Sequence, residues 1–399
     1  MGHHLDSKSS IVPLIDRLNK FPVGLVDNEK LREILSLLFD EREAFIASRF
    51  PLEEATLPEL VRLTGIPAAE LEPMLDRMAD KGLLMDMPYN GVTYYLLIPG
   101  LIGFFEFTFM KNRTDLPQEK IARLMSEYMH DGSGRGQGDE FFGSKTPLTR
   151  SLVYEEHIPV TSEITTYETA REIIKNAGGG AVGICFCRHK KEHLNENCKK
   201  GAPVEEICIS LGAAAKFFCR RGFAQEKSVE ELLAILDRAR SFNLTFVTDN
   251  IREKPSFVCS CCGCCCELMS GVQHGFHEGI GKTGYTAVID PELCDYCGAC
   301  FKACNVKAIG PPEGVTFADK ESRHAAVKSH VCLGCGACVS ACKKGALTMV
   351  SVAKRPLPPL KRNDLYRAIL KEKGRLTPYV VSGIKKKLRS FLPGNGRKR

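Results

Sequence analysis

No stretch of this 399-residue sequence is long and apolar enough to cross a bilayer, and residues 1–20 hold neither the apolar core nor the cleavage site of a secretory leader. A Walker loop, a glycine-rich dinucleotide loop and a flavin fingerprint are also missing, so no second cofactor chemistry is written in the chain. These absences argue against an integral membrane protein and against a disulfide-stapled secreted scaffold, and they make a reducing cytoplasm the expected location. What is abundant is cysteine, with nineteen residues. In a reducing compartment, metal is the default use of so many thiols. With 44% apolar and 26% charged residues, the chain is long enough for two or three folded domains with their own cores.

Eight cysteines form two copies of one spacing: Cys294, Cys297, Cys300, Cys304 and Cys332, Cys335, Cys338, Cys342. Each copy reads C-x₂-C-x₂-C-x₃-C, a run in which three thiolates wrap one [4Fe–4S] cube and the fourth reaches across to its neighbour. In that arrangement one cube takes Cys294, Cys297, Cys300 and Cys342, and the other takes Cys332, Cys335, Cys338 and Cys304. Gly298 and Gly336 fall where the backbone must turn tightly and offer N–H groups to sulfide. A zinc-ribbon pair would instead use two separated C-x₂-C knuckles. On these motifs residues 285–350 resemble the bacterial two-cluster ferredoxin, and the resemblance implies two [4Fe–4S] clusters that carry electrons. The sequence departs from the family after each fourth cysteine, where Asn305 and Lys343 replace its usual proline.

Upstream, residues 29–95 read as a winged helix: helices over 29–50, 57–64 and 68–81, then a hairpin turning at Pro88-Tyr89-Asn90-Gly91. Leu71, Met74, Leu75 and Met78 give the third helix its apolar face. Its other face carries Glu70, Glu72, Asp76 and Asp80 against Arg77 and Lys81, and the wing adds Asp86, so a DNA duplex would repel it. A structural, dimer-forming or partner-docking module is expected instead. Residues 96–110 are aromatic but broken by Pro99, Gly100, Gly103 and Glu106, which suits a core or a homodimer interface. The winged-helix-like module is taken as 29–130, with a flexible linker over 131–150.

A small α/β domain is expected over 151–283, from a strand at 181–186, a helix at 229–242 capped by Ser228, and a strand at 244–247. It carries the other eleven cysteines. Cys185, Cys187, Cys198, Cys208 and Cys219 make one group; Cys259, Cys261, Cys262, Cys264, Cys265 and Cys266 make the other. Six cysteines in eight residues cannot all point into one core as free thiols, so they are ligands or redox partners. Cys259, Cys262 and Cys265 repeat the C-x₂-C-x₂-C phase and could hold a cube with a remote fourth ligand, while Cys185, Cys187, Cys198 and Cys208 could hold another. A non-cubane cluster and a vicinal dithiol site are the other readings. Arg188, Lys190 and Lys191 would offset thiolate charge, or Arg188 would form a surface salt bridge; Cys219 reads as a small buried hydrophobe. His189-Lys190-Lys191-Glu192-His193 matches an inverted zinc-peptidase pattern, but a solvated helical turn explains it better.

The tail over 352–399 is basic: from Lys354 on it holds fifteen Lys or Arg against Asp364 and Glu372. It is expected to contain an exposed linker at 356–359 and short basic helices at 364–373 and 379–391, suited to an anionic membrane surface or an acidic partner. The order of winged helix, C-x-C-R, cysteine run and dicluster segment resembles a group of multi-cluster ferredoxin-like proteins of anaerobic bacteria, over residues 30–350. The fold class is therefore α+β multidomain, with the ferredoxin-like dicluster domain at 284–351. The expected function is electron transfer through two [4Fe–4S] clusters and an additional iron–sulfur cluster, with a redox protein as partner. A redox-responsive regulator and a reductase subunit acting at the cysteine run are the alternatives.

Overall fold

The computed structural model describes residues 7–129, 136–159, 166–312, 314, 323–354 and 357–377. The chain divides into two compact units, residues 1–104 with 366–399, and residues 105–365.

The first unit runs α1 (Ser7–Leu18), α2 (Glu29–Leu38), α3 (Glu41–Arg49), β1 (Ala55–Thr56), α4 (Leu57–Thr64), α5 (Ala68–Asp80), β2 (Leu84–Tyr89) and β3 (Val92–Leu97). The single helix expected over 29–50 is two helices. Asp40 interrupts it, because its side chain accepts from the Glu43 N–H while Glu43 returns a bond to the Asp40 N–H, a capping box that starts a new helix. Glu43 is itself buried and receives Lys81 Nζ at 2.7 Å. Leu71, Met74, Leu75 and Met78 do face inward from α5. The β2–β3 hairpin closes through Asn90 and Gly91, both at positive φ, and β1 pairs with the outer side of β3. Glu70, Glu72, Asp76 and Asp80 line the exposed side of α5.

The second unit is built on a six-stranded sheet. Its elements are α6 (Phe105–Phe107), α7 (Gln118–Met129), α8 (Gln137–Phe142), β4 (Thr149–Ser151), α9 (Ala170–Ala177), β5 (Gly180–Gly183), α10 (Phe186–Glu192), β6 (Cys208–Ser210), α11 (Gly212–Arg220), β7 (Ala224–Lys227), α12 (Val229–Ser241), β8 (Thr245–Asp249), β9 (Phe257–Cys261) and α13 (Glu267–Gln273). The strand order is β4-β8-β9-β6-β5-β7, and every pair is antiparallel. Ser228 and Glu231 cap α12 reciprocally, as the sequence suggests, and α12 packs on α9 through Leu232, Leu236, Ile173 and Ile174. Phe105 and Phe109 of the aromatic stretch are buried in this unit, so they serve as core.

The dicluster segment follows: β10 (Tyr285–Ile289), α14 (Ala299–Ala303), β11 (Ile309–Gly310), β12 (Ala326–Val327), α15 (Ala337–Ser340) and β13 (Leu347–Ser351), with β10 paired to β13 and β11 to β12. Then comes α16 (Arg362–Glu372). Residues 358–360 are no loose linker, because Arg252 donates to the Pro358 and Pro359 carbonyls and the Glu253 N–H to that of Leu360. Most of the linker's glycine-rich centre, residue 356 and the helix expected at 379–391 lie outside the described residues. Among the described residues no helix is long and apolar enough to cross a membrane.

Candidate metal centres

The eighteen candidate ligands sit in the second unit and fall into three arrangements. In the dicluster segment each run starts in a loop and ends on or after a short helix, with Gly298 and Gly336 at φ 75° and 86° setting the turn. This fans the thiols outward. Cys300 has Cys294, Cys297 and Cys342 as charged neighbours, while Cys338 has Cys335, Cys304 and Cys332 and, least, Cys300 of the other set. Burial first, then those neighbouring thiolates, pushes both thiols up. Donors are directed at the sulfurs: the Ala308 N–H reaches Cys304 Sγ at 3.1 Å and the Ala325 N–H reaches Cys294 Sγ at 3.5 Å. Gly334 has no room for a side chain, since a Cβ there would stand 2.1 Å from Thr283 Oγ1 and from the Tyr285 carbonyl oxygen. Thiols spaced apart, with amide donors aimed at sulfur, fit a group that brings its own iron and sulfide between them.

The set around Cys338 lies against the cysteine-rich domain. Asn305, which stands where the ferredoxins have proline, makes the join. Its Nδ2 donates to the Asn243 carbonyl at 2.8 Å and to Thr245 Oγ1 at 3.0 Å, and its Oδ1 accepts from the Gly263 N–H at 3.0 Å. Gln273 Nε2 then ties the Asn305 and Gly263 carbonyls together. Gly263 must be glycine for this approach, because a Cβ would meet the Asn305 oxygen at 2.5 Å. A proline at 305 would offer none of the three side-chain bonds. Thr245 passes its own hydroxyl hydrogen to Cys335 Sγ at 3.4 Å. Lys343, the second departure, is exposed.

In the middle domain four of the cysteines touch one another. Cys198, Cys262, Cys264 and Cys265 form a tetrad whose Sγ atoms all lie within 4.8 Å of one another. Three of the separations are 3.7 Å: Cys198 to Cys262, Cys198 to Cys264 and Cys264 to Cys265. A tetrahedral ion with metal–sulfur bonds of about 2.3 Å sets its sulfurs about 3.8 Å apart. The tetrad therefore encloses the space of one ion. Hydrogen bonds with Cys262, Cys264 and Cys265 hold the Cys198 thiol far below its ordinary range; the bond with Cys198 raises the Cys264 thiol, but those with Cys262 and Cys265 together outweigh it and bring it to about 6.

The remaining six are Cys185 and Cys187 at the start of α10, Cys208 on β6, Cys259 and Cys261 on β9, and Cys266 at the start of α13. Other thiols of this group are the main influence on each one's pKa, lowering Cys185, Cys259 and Cys266 and raising Cys187, Cys208 and Cys261. The grouping differs from the one the spacing suggests, for a strand-level reason. Cys259 and Cys261 lie two apart in β9 and point to one side of it, which takes Cys259 away from Cys262 and Cys265. The register Ile209↔Val258 brings Cys208 alongside β9 rather than toward Cys198. Cys219, half-buried on α11, belongs to neither group.

Two cations occupy the spaces between these sets. Arg188 is buried, with Nη2 donating to the Ser260 carbonyl at 3.0 Å, so it is no surface salt bridge. Burial pulls its pKa down, but the charges of Cys185, Cys262 and Cys208 outweigh this and raise it. Lys200 donates to the Asn243 and Ala303 carbonyls, both at 2.9 Å, and feels Cys262 and Cys264 on one side and Cys335 and Cys304 on the other. The H-x-x-E-H segment is a helical turn buried at His189 and Lys190 and exposed at Glu192. His189 Nδ1–H donates to the Phe109 carbonyl, and Lys190 pairs with Glu267, fastening α10 to α13 and so Cys187 near Cys266.

Sequence reasoning missed Asn305, Thr245 and Lys200 as parts of the site. The absent proline was the one visible signal, and it marked Asn305. Comparison with known proteins agrees with the dicluster geometry over a limited span. No curated protein and no solved structure matches the chain. Residues 285–347 match the family described as the 4Fe-4S dicluster domain.

Proposed function

We propose that this protein is an electron relay in which the two cubes of the dicluster segment connect an outside redox partner to the cysteine-rich domain. Cys294, Cys297, Cys300 and Cys342 would hold the outer cube, and Cys332, Cys335, Cys338 and Cys304 the inner one; each bound cube supplies one-electron chemistry. The supporting observation is the contact of the inner set with the middle domain through Thr245, Asn305 and Lys200. The outer set has the opposite environment. Cys297 is exposed, and Leu293, Val288 and Val350 beside or near its run are exposed apolar side chains suited to a partner protein.

The tetrad is the third metal position in this reading, holding one thiophilic ion rather than another cube. Lys200 between it and the inner set would keep two anionic centres close at reduced electrostatic cost. The first unit would be a winged helix used for docking or assembly. Its exposed acidic α5 favours a protein partner over a duplex. The tail from Lys354 adds a basic contact for an acidic partner or an anionic lipid surface.

The test is a reductive titration of anaerobically purified protein followed by low-temperature EPR, on wild type and Thr245→Val. Two cluster potentials are expected, and the variant should lower one of them alone, because loss of a hydroxyl donor to Cys335 disfavours the more negative, reduced state. A single titrating centre, or equal displacement of both, contradicts the proposal.

A further inference from the structure

Two links join the tetrad to the inner set of the dicluster segment, and both end on the residues that flank Cys304. Ahead of it, the Ala303 carbonyl accepts from Lys200 Nζ at 2.9 Å, and Lys200 lies two residues after Cys198. Behind it, Asn305 Oδ1 accepts from the Gly263 N–H at 3.0 Å, and Gly263 stands between Cys262 and Cys264. Gln273 Nε2 closes the second link by donating to the Gly263 and Asn305 carbonyls, each at 2.8 Å. A Cβ on Gly263 would come within 2.5 Å of the Asn305 carbonyl oxygen, so the two backbones meet with no side chain between them.

Bonds that only fasten two surfaces together can fall anywhere along their boundary. These begin and end beside ligands. From Cys304 to Cys262 the route is covalent except for one hydrogen bond, and electronic coupling decays more slowly along bonds than across a gap. Four thiolates at the tetrad's spacing suit zinc or iron. Zinc has no redox chemistry and would leave such a route idle, whereas iron in the same tetrahedron passes between ferrous and ferric. Cys262 and Cys265 are buried but Cys198 and Cys264 are half-exposed, so one edge of the tetrad reaches solvent.

We infer that the tetrad of Cys198, Cys262, Cys264 and Cys265 binds iron rather than zinc, and that this ion is a one-electron terminal connected to the inner set through Asn305, Gly263 and Lys200. The inference rests on the relay reading and gives the relay its second end, opposite the exposed run at Cys297. The step is an electron transfer alone. Ferric iron takes one electron from a reduced iron–sulfur cube, becomes ferrous and keeps all four thiolates; no bond breaks and no proton moves. The site is then one charge more negative, and Lys200, held beside Cys304, offsets that charge.

The test uses anaerobically purified full-length protein enriched in the Mössbauer isotope of iron, as wild type and Cys264→Ser. Metal and sulfide analysis, Mössbauer spectroscopy and potentiometry are the readouts. Wild type should hold about nine iron against about eight sulfide, with one iron of tetrathiolate type that turns from ferric to ferrous on reduction. Cys264→Ser should lose that iron alone with sulfide unchanged, and the loss of an anionic neighbour should raise one cluster potential and leave the other in place. Zinc in the tetrad, an iron that never changes state while the cubes titrate, or two unmoved cluster potentials in the variant overturns the inference. The wild-type spectrum decides even where the variant fails to fold. Zinc beside two separate cluster potentials strikes this inference alone, whereas a single cluster potential strikes the relay on which it rests.

Discussion

The dicluster segment and the middle domain use the same ligand atom in opposite ways. Around Cys300 and Cys338, neighbouring thiols act on each other as charges across a space, whereas the four thiols of the tetrad lie within 4.8 Å of one another. The difference comes from local backbone. Two or three residues between cysteines, a positive-φ glycine and a short helix fan the side chains apart; a strand followed by consecutive cysteines crowds them. Spaced sulfurs leave room for iron with inorganic sulfide, and touching sulfurs leave room for bare ions. Cysteine count alone carries neither conclusion.

The comparison breaks most visibly where a cube loses a ligand. Cys338→Ser should cost about four iron and four sulfide per chain and leave the middle domain's metal untouched. Prolonged chelation by EDTA should do the reverse, stripping the sulfide-free ion and melting the middle domain while visible cluster absorption persists, as metal binding supplies folding energy in such sites. Circular dichroism and absorbance on one sample check both. Gly334→Ala forces a Cβ onto Thr283 and Tyr285 at positive φ, and a loss of about 4 kcal/mol or more is expected in anaerobic thermal unfolding.

Smaller changes sharpen the boundary between the two regions. Asn305→Ala leaves the Gly263 N–H without its acceptor and removes two donated bonds, for an expected loss of about 2–4 kcal/mol. Asn305→Pro, although it restores the ferredoxin residue, should be no better. Lys200→Met removes a cation beside Cys335 and Cys304, and potentiometry should find the inner cube's potential lowered by on the order of tens of mV with the outer one unmoved.

The legible part of this protein was the part whose chemistry is local in sequence. Two runs of C-x₂-C-x₂-C-x₃-C announce the dicluster segment because each set draws three thiols from one loop. The β2–β3 hairpin and the inward face of α5 were equally readable, from Asn90-Gly91 and from the spacing of Leu71, Met74, Leu75 and Met78. The middle sites were not, because their ligands meet through sheet register. Spacing set Cys259 with Cys262 and Cys265, but β9 turns Cys259 and Cys261 to one side, and the partner strand β6 brings Cys208 to them. The antiparallel order of the sheet, with β9 at its centre, was hidden because a cysteine-rich strand lacks the β-branched pattern that marks strands. Arg188 and Lys190 illustrate a further limit. A run of basic residues reads as solvated, yet thiolates around Arg188 and Glu267 beside Lys190 give both charges reason to be buried.

The most direct test of the central contrast is acid-labile sulfide against total metal in the anaerobically purified protein. Two cubes in the dicluster segment and one ion in the tetrad predict about eight sulfide, eight iron bound with it and a further sulfide-free ion per chain. Sulfide rising in step with iron to about twelve or sixteen would place cubes among the touching thiols and contradict the account.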